Sequence, residues 1–180
     1  SAFTREHVTV ALGGDGGDEL LFGYDTFIAH RLAEVYERIP KLLRMQVIER
    51  VVSLLPVSRN NMSLDFKAKK FISGFDGEKK YRNQRWLGTF DRDARKKLFT
   101  KDVWEILEKE NEFDDIDRYL ADIPTTDYYD QLTYLYLRTY MMDDILVKVD
   151  RASMYNSLEV RAPFLDTHVV DFLTNIPHTF

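Results

Sequence analysis

The stretch Ala11-Leu12-Gly13-Gly14-Asp15-Gly16-Gly17-Asp18-Glu19-Leu20 decides how this chain is organised. It follows His7-Val8-Thr9-Val10, a run typical of a β-strand, and it holds half of the chain's eight glycines. Glycine permits positive φ angles and a close approach of a ligand to backbone amides. A strand that enters such a turn and then a helix is therefore typical of a binding loop.

The acidic side chains of this loop restrict its ligand. Backbone amides and a helix N-terminus attract phosphate, whereas Asp15, Asp18 and Glu19 repel it unless a divalent cation lies between them. We therefore predict a loop for a magnesium-bridged phosphate. An ordinary tight turn, with Asp18 and Glu19 complementing the helix dipole, is equally compatible with these residues. The loop matches neither the dinucleotide fingerprint, nor the Walker loop, nor a calcium loop.

The composition is that of a folded protein, and the chain has no excess of positive charge that would favour nucleic-acid binding. The chain has 180 residues, 44% of them hydrophobic, with a net charge of -5 and a pI near 5.4. These values argue against nucleic acid and anionic membranes as partners. No apolar run is long enough for a membrane span and no signal peptide is visible, so we expect a cytoplasmic protein. The absence of cysteine excludes disulfides and a cysteine nucleophile within this sequence.

The first strand has no evident partner strand in the rest of the sequence, and a lone strand leaves its backbone groups unsatisfied. We therefore expect the chain to be a fragment whose sheet belongs to an upstream part of a longer protein. Without that sheet, residues 1–24 should be disordered or should pair irregularly.

Most of the remaining sequence has helical periodicity, which predicts a mainly α structure. Helices are expected at 24–38, 40–56, 77–87, 91–98, 101–110, 126–141 and 167–175, with Asp91 and Thr100 as N-caps. The expected core stripes are Ile28, Leu32, Val35 and Ile39; Leu42, Met45, Ile48, Val52 and Leu55; Tyr128, Leu132, Leu135 and Thr139, widened by Tyr134 and Leu137; and Val169, Val170, Leu173 and Ile176.

The middle of the chain mixes basic and aromatic residues, a pattern also found in nucleic-acid-binding proteins. The basic residues are Lys67, Lys69, Lys70, Lys79, Lys80, Arg82 and Arg85, and the aromatic ones are Phe66, Phe71, Phe75, Tyr81 and Trp86. Because the whole chain is acidic and the aromatics have helical spacing, we predict a solvated basic face over an apolar core. The four histidines form no metal-ligand spacing and are expected to be structural or exposed.

A second unusual stretch, 143–154, embeds charges among core-type residues. Such charges must be paired or must face a cleft, because isolated burial is costly. Asp144 and Lys148 could form an i,i+4 ion pair, with Asp150 and Arg151 exposed to solvent. The run 158–166 then alternates polar and apolar residues, so in an extended backbone Glu159 and Arg161 would project from the same side.

Together, the two stretches resemble the glutamine-hydrolysing asparagine synthetase family. The loop with Phe22-Gly23-Tyr24 resembles the second nucleotide-site loop of that family. Asp144-Ile145-Leu146-Val147-Lys148-Val149-Asp150-Arg151-Ala152-Ser153-Met154, followed by Leu158-Glu159-Val160-Arg161-Ala162-Pro163-Phe164-Leu165-Asp166, resembles its other signature. The resemblance places residues 1–180 in one partial synthetase domain of the ATP-pyrophosphatase type, with residues 1–24 as strand and loop and 25–180 as a helical region.

The resemblance implies a ligase that uses ATP and Mg²⁺. Its family adenylates a carboxylate, aspartate or a related acceptor, and glutamine-derived ammonia then displaces AMP to form an amide. Asp18 is the implied magnesium ligand, and the amides of Gly14, Gly16 and Gly17 would hold phosphate. Lys148 and Arg151 are implied pocket cations, and Asp15 is on the acceptor side. The resemblance further implies that Glu19, Asp150 and a buried Glu159–Arg161 pair position these residues without contacting the ligand themselves. A homodimer is compatible with this assignment.

The sequence departs from the family pattern at two loop positions. Asp15 stands where glutamate is usual, and Gly13 stands where serine is usual, which puts the acceptor in doubt and leaves a non-catalytic scaffold or regulatory relative as an alternative. The family's Ser-Gly-Gly-x-Asp-Ser pyrophosphate loop and its N-terminal glutaminase domain are not in this sequence. We therefore expect the chain to be inactive by itself.

Overall fold

The computed structural model of the protein describes residues 1–58 and 63–178. The chain divides into two compact units, one formed by Ser1–Tyr24 with Asp115–Phe180 and the other by Asp25–Asp114. The prediction of a mainly α structure is confirmed. The α-helices are Ala2–Arg5, Gly17–Leu20, Asp25–Glu37, Lys41–Leu43, Glu49–Ser53, Leu64–Ser73, Arg82–Leu87, Arg92–Leu98, Lys101–Leu107, Asp114–Asp122, Tyr128–Tyr136, Leu146–Met154 and Thr167–Thr174.

Shorter helical segments of other types connect some of these helices. Two of them, Arg44–Ile48 and Leu137–Ile145, have π-helical hydrogen bonding and join the α-helices on either side into continuous helices. Single 3₁₀ turns lie at Lys79–Tyr81 and Pro163–Leu165. Among the described residues, no helix is both long enough and apolar enough to cross a lipid bilayer.

Two short strands form a parallel pair in the first unit. Strand β1 is Val10–Leu12 and strand β2 is Glu159–Arg161, with Ala11 opposite Val160. The Glu159 amide donates to the Thr9 carbonyl at 3.0 Å, and the Gly13 amide donates to the Arg161 carbonyl at 2.8 Å. The expectation that the first strand has no partner in this chain, and would pair irregularly, is therefore wrong. Within the alternating run at 158–166, Glu159–Arg161 is extended and satisfies backbone groups of β1 on one edge, whereas Pro163–Leu165 forms a 3₁₀ turn.

The long helix after Asp127 forms the core of the same unit. Its buried residues include Leu132, Leu135, Tyr136 and Met141, each 2% exposed or less, which confirms the predicted central helix. The Asp127 side chain caps its N-terminus by accepting hydrogen bonds from the amides of Tyr129 and Asp130. In the last helix, Val169, Val170 and Leu173 are half-buried, whereas Ile176 is exposed.

The unit Asp25–Asp114 buries a different helix face from the one predicted. Ile28, Leu32 and Val35 are 61%, 57% and 59% exposed, whereas the inward residues of the same helix are Phe27, His30 and Ala33. The predicted stripe is wrong because the ring of His30 packs on Trp86, with ring centroids 4.6 Å apart. This contact turns the neighbouring positions outward, and the spacing of apolar residues could not reveal it.

The second helix of this unit is only partly as predicted. Leu42 is exposed, and Ile48, Val52 and Leu55 are half-buried. The Met45 side chain of the same stripe lies outside the side chains that the structure describes.

Capping in this unit follows the sequence more closely. Asp91 accepts a hydrogen bond from the Ala94 amide at 2.8 Å, and Thr100 lies at the N-cap of Lys101–Leu107. Both residues take the positions that their side-chain types predict, because a cap depends only on residues within one turn.

The basic segment covers an aromatic core, with one correction. Tyr81 and Trp86 are buried, as the interpretation of a basic face over a core requires. Arg82 was expected in solvent, yet its side chain is only 3% exposed; it pairs with Glu37 and lies over the Phe75 ring at 4.3 Å. The flat guanidinium stacks on an aromatic face while keeping a carboxylate partner, which makes its burial tolerable.

Candidate functional site

The glycine loop begins where β1 ends and leads directly into the helix Gly17–Leu20. The Gly13 amide continues the strand ladder, and the Gly17 amide donates to the Gly14 carbonyl at 3.2 Å to close a turn. Gly16 has a φ of 94°, in the left-handed region that favours glycine. The loop is therefore an ordered turn whose geometry depends on its glycines.

The loop packs against the second signature stretch. A Cβ atom at Gly16 would lie 2.5 Å from Leu165 Cδ2, and one at Gly17 would lie 3.6 Å from the Phe164 ring. A Cβ at Gly13 would meet Val160 at 3.2 Å. Residues almost 150 positions apart are thus in contact, and glycine at position 16 is required by this packing as well as by its φ angle.

The strand pairing explains why the two stretches meet. Because β1 and β2 are parallel, the segments that follow them emerge at the same edge of the pair. The glycine loop follows β1, and Ala162 with the 3₁₀ turn Pro163–Leu165 follows β2. In α/β proteins, ligands bind at the carboxyl ends of parallel strands. This edge is the candidate functional site.

The loop carboxylates have different surroundings. Asp18 is exposed and Asp15 is half-buried, whereas Glu19 is only 1% exposed. The Tyr24 hydroxyl donates a hydrogen bond to Glu19, and the Tyr24 ring stacks on Tyr136 with centroids 5.0 Å apart. Burial raises the pKa of the Tyr24 hydroxyl above its usual range, and the neighbouring Glu19 carboxylate raises it further. Glu19 therefore faces the interior, and Asp18 faces solvent.

The backbone amides of the loop are only partly available for a ligand. The Gly17 amide is occupied by the Gly14 carbonyl. In the parts of the chain that the structure describes, the amides of Gly14 and Gly16 have no hydrogen-bond acceptor. Of the predicted phosphate-binding amides, that of Gly14 therefore lies on an exposed residue and that of Gly16 on a buried one.

The predicted cations lie on the helix Leu146–Met154, which leads through a short turn into β2. Lys148, Asp150 and Arg151 are all exposed. Across residues 1–58 and 63–178, neither cation forms an ion pair with a loop carboxylate, and Lys148 forms none with Asp144. The positive charges of Lys148 and Arg151 are therefore available to an anion, although neither side chain contacts a carboxylate of the glycine loop through an ion pair.

Glu159 and Arg161 project from the same side of β2, as the alternation predicted. Arg161 Nε donates to Glu159 Oε1 at 2.8 Å. The predicted burial of this pair is wrong, because the two side chains are 54% and 65% exposed. They flank the inward Val160 on a strand with an open outer face, so their ion pair is largely hydrated.

Four features of this unit have no counterpart in the sequence predictions. Tyr24 fixes Glu19, and Phe164 and Leu165 shape the glycine loop. The aromatic pair Tyr24–Tyr136 joins segments 112 positions apart, which no local pattern indicates. The fourth feature is a cluster of Asp127, Asp130 and His178, which the sequence could not indicate because its members have no motif spacing.

Comparison with known proteins assigns the family. The family model for asparagine synthase matches residues 1–180, the whole chain. The chain belongs to the asparagine synthase family. The resemblance of its two motif stretches to that family is thereby confirmed, and the loop and the β2 edge are the asparagine synthase motifs of this chain.

Curated relatives carry the same family name. The chain is 30% identical over 178 residues to asparagine synthetase [glutamine-hydrolyzing] 1 of Bacillus subtilis, with 96% of this chain and 26% of that protein covered. It is 30% identical over 173 residues to a putative asparagine synthetase [glutamine-hydrolyzing] of Mycobacterium tuberculosis, with 96% and 25% covered. The chain thus spans about a quarter of the length of these relatives. No solved structure matches it significantly.

Proposed function

We propose that this chain is part of the synthetase domain of an ATP-dependent ligase that forms an amide from a carboxylate acceptor and glutamine-derived ammonia. Aspartate or a related acid is the proposed acceptor. The observation that carries the proposal is the parallel pairing of β1 with β2, which brings both asparagine synthase motifs to one edge. Family membership over the whole chain supports the reaction class.

The glycine loop is proposed to hold the phosphates of ATP through a magnesium ion. Asp18 offers an exposed carboxylate, the type of hard oxygen ligand that Mg²⁺ takes together with water and phosphate oxygens. Among the described residues, the amides of Gly14 and Gly16 have no acceptor and are the proposed phosphate donors, and Gly17 keeps the turn closed. The residues present therefore fit Mg²⁺. When bound, the ion neutralises the charge that develops on the departing pyrophosphate.

The remaining site residues are proposed to bind the acceptor or to hold the site in place. Lys148 and Arg151, three positions apart on one helix, present cations suited to a carboxylate or phosphate. Asp15 is assigned to the acceptor side. Glu19 supports the loop from the interior through Tyr24. The other supporting residues are Asp150, Glu159 and Arg161, the last two acting from the surface of β2.

The chain alone is proposed to be inactive, because the pyrophosphate loop of the resembled family is not in its sequence. Tests of activity therefore need the longer protein. We also propose that residues 1–180 form a single partial domain, that the protein is cytoplasmic and that it forms a homodimer.

The direct test is the substitution Asp18→Ala in the longer protein. Loss of the metal ligand should lower the rate of pyrophosphate release by roughly 100-fold or more, since the developing charge loses its counter-ion. Asp25→Ala is the matched control, because this aspartate is also exposed and forms a surface ion pair with Lys67 at 3.3 Å. Unchanged pyrophosphate release in Asp18→Ala, with the fold retained, would refute the metal role.

A second candidate function is a non-catalytic relative that keeps the fold. The departures at Gly13 and Asp15 favour it, because they alter a loop hydroxyl and the length of the acceptor-side carboxylate. Measuring AMP formation by the longer protein with aspartate and a panel of other carboxylic acids separates the two functions. AMP formed with any of these acceptors supports the ligase, and none formed with all of them supports the scaffold.

A further inference from the structure

We propose a binding site for a zinc-type divalent metal ion at Asp127, Asp130 and His178. One carboxylate oxygen of each aspartate and one ring nitrogen of the histidine lie within 4.8 Å of one another. All three residues belong to the unit formed by Ser1–Tyr24 and Asp115–Phe180. Its three ligands are not residues of the glycine loop, and its proposal does not depend on the proposed ligase activity.

The donor set selects the class of metal. Two carboxylate oxygens and one imidazole nitrogen suit Zn²⁺, Co²⁺ or Mn²⁺ better than Mg²⁺, which prefers oxygen ligands alone. Ligand atoms of a tetrahedral zinc site lie about 2.0–2.2 Å from the metal, and therefore roughly 3.3–3.6 Å from one another. His178 Nδ1 and Asp127 Oδ1 are 3.4 Å apart, which matches that spacing.

Each ligand is held by contacts of its own. Asp127 Oδ1 accepts hydrogen bonds from the amides of Tyr129 and Asp130, at 2.9 and 3.2 Å. Asp130 Oδ2 accepts one from the Thr125 hydroxyl at 3.1 Å. The His178 ring stacks on Tyr129, with ring centroids 4.8 Å apart. The ligands are therefore positioned before any metal binds, which lowers the entropic cost of binding.

The electrostatic balance also favours a cation. Within residues 1–58 and 63–178, no lysine or arginine forms an ion pair with Asp127 or Asp130. The carboxylates of Asp127 and Asp130 thus lie close together, and the potentially cationic side chain beside them is that of His178. A divalent ion would neutralise both, whereas the histidine at neutral pH supplies at most one positive charge.

The cluster also has room for the remaining ligands of a metal. Asp130 and His178 line a cavity of about 410 Å³, whose other walls include Phe22, Tyr134 and Leu173. Three protein ligands with an open fourth position are typical of zinc sites that keep a water molecule. A bound ion would also tie the segment after the last helix to the start of the central helix, 51 positions away in sequence.

Cobalt is a suitable probe because Co²⁺ in such a site absorbs visible light, whereas aqueous Co²⁺ absorbs very weakly. Titration of the chain with CoCl₂ should give saturable d–d absorption bands, and one equivalent of ZnCl₂ should remove them. ZnCl₂ alone should raise the Tm, because an ion that binds only the folded state stabilises it. Millimolar MgCl₂ should leave the cobalt bands unchanged.

Two variants locate the site. His178→Ala and Asp127→Asn should each abolish the bands and the zinc-dependent rise in Tm; asparagine retains the N-cap, so loss of folding does not explain that result. His168→Ala is the matched control, because this exposed histidine lies in the same unit and should leave binding unchanged. The proposal is overturned by an absence of bands in the unmodified chain, by bands that persist in His178→Ala, or by displacement with MgCl₂.

Discussion

The two compact units of this chain are assembled in opposite ways. The unit Asp25–Asp114 is continuous in sequence, so all its internal contacts join residues of one segment. The other unit joins Ser1–Tyr24 to Asp115–Phe180, so its strand pair and its glycine loop depend on contacts between distant segments. Both asparagine synthase motifs lie in this discontinuous unit. The proposed chemistry therefore lies in the unit that joins the two end segments of this sequence.

The units also differ in what they bury. The discontinuous unit has an apolar centre around Leu132 and Leu135, buries Glu19 beside Tyr24 and keeps the cations of its motif on the surface. The continuous unit buries the basic side chains His30 and Arg82 against aromatic rings. Buried acidic and buried basic groups make stability depend on pH in different ways. The two units should therefore respond differently to mutation, pH and salt.

The largest expected effect is in the apolar core of the discontinuous unit. Leu132→Ala removes a side chain that is 1% exposed and should lower the free energy of unfolding by about 2–5 kcal/mol. Leu32→Ala is the control in the other unit, because that leucine is 57% exposed and should lose less than about 1 kcal/mol. Urea unfolding followed by circular dichroism measures both; equal losses would contradict the assigned core.

The pH dependence of the continuous unit should come largely from His30. Burial, opposed by a hydrogen bond with Asn83, lowers the pKa of His30 from 6.5 to about 4. The unfolded chain binds this proton near pH 6.5 and the folded chain only near pH 4. His30 therefore does not lower the free energy of unfolding above pH 6.5. As the pH falls from 6.5 to 4, protonation of the unfolded chain lowers that free energy by about 3 kcal/mol.

Urea titrations at several pH values test this assignment. Both tryptophans, Trp86 and Trp104, lie in the continuous unit, so their fluorescence reports on it selectively. The stability of His30→Gln should vary less between pH 6.5 and 4 than that of the unmodified chain, whereas His168→Gln should leave the profile unchanged. Parallel profiles for His30→Gln and the unmodified chain would disprove the role of His30.

A smaller effect is expected in the glycine loop. Gly16→Ala places a methyl group at a φ of 94° and 2.5 Å from Leu165, and should cost about 1–3 kcal/mol. Gly14→Ala is the matched control, since nothing lies within 4 Å of its added Cβ and its φ is not positive. Thermal unfolding compares the variants; a Gly16→Ala chain as stable as Gly14→Ala would show that this packing is unimportant.

The smallest effect is expected at the surface of β2. Glu159→Gln breaks an ion pair whose partners are both more than half exposed, so the loss should be about 0–1 kcal/mol. Added NaCl should reduce the difference further, because exposed charges are screened. A loss above about 2 kcal/mol, or one that salt does not change, would indicate that this pair is covered in solution.

Local patterns predicted the parts of the structure that depend on neighbouring residues. The helices expected from periodicity, the Asp91 cap, the extended backbone at Glu159–Arg161 and the common side of Glu159 and Arg161 follow from spacing and side-chain type. The helices Leu64–Ser73, Asp114–Asp122 and Leu146–Met154 were not among those expected. The motif stretches predicted the family for the same reason, since each is a contiguous pattern. Their assigned chemical roles stay predictions.

Patterns failed where a distant contact decided the outcome. Ile28, Leu32 and Val35 have the spacing of a core stripe, yet the packing of His30 on Trp86 turns the opposite face inward. Arg82 is buried because Glu37 and Phe75 surround its guanidinium. The cluster of Asp127, Asp130 and His178 joins residues up to 51 positions apart, and no motif spacing describes it.

The sequence by itself determined that this chain is mainly helical and belongs to the asparagine synthase family, because helical period, glycine placement and contiguous motifs are local properties. Only the tertiary structure decided that β1 pairs with β2, that Glu19 is buried against Tyr24, and that the Glu159–Arg161 pair is exposed. Strand pairing and burial depend on which distant segments meet, and the free energy of those contacts is not encoded in any single stretch.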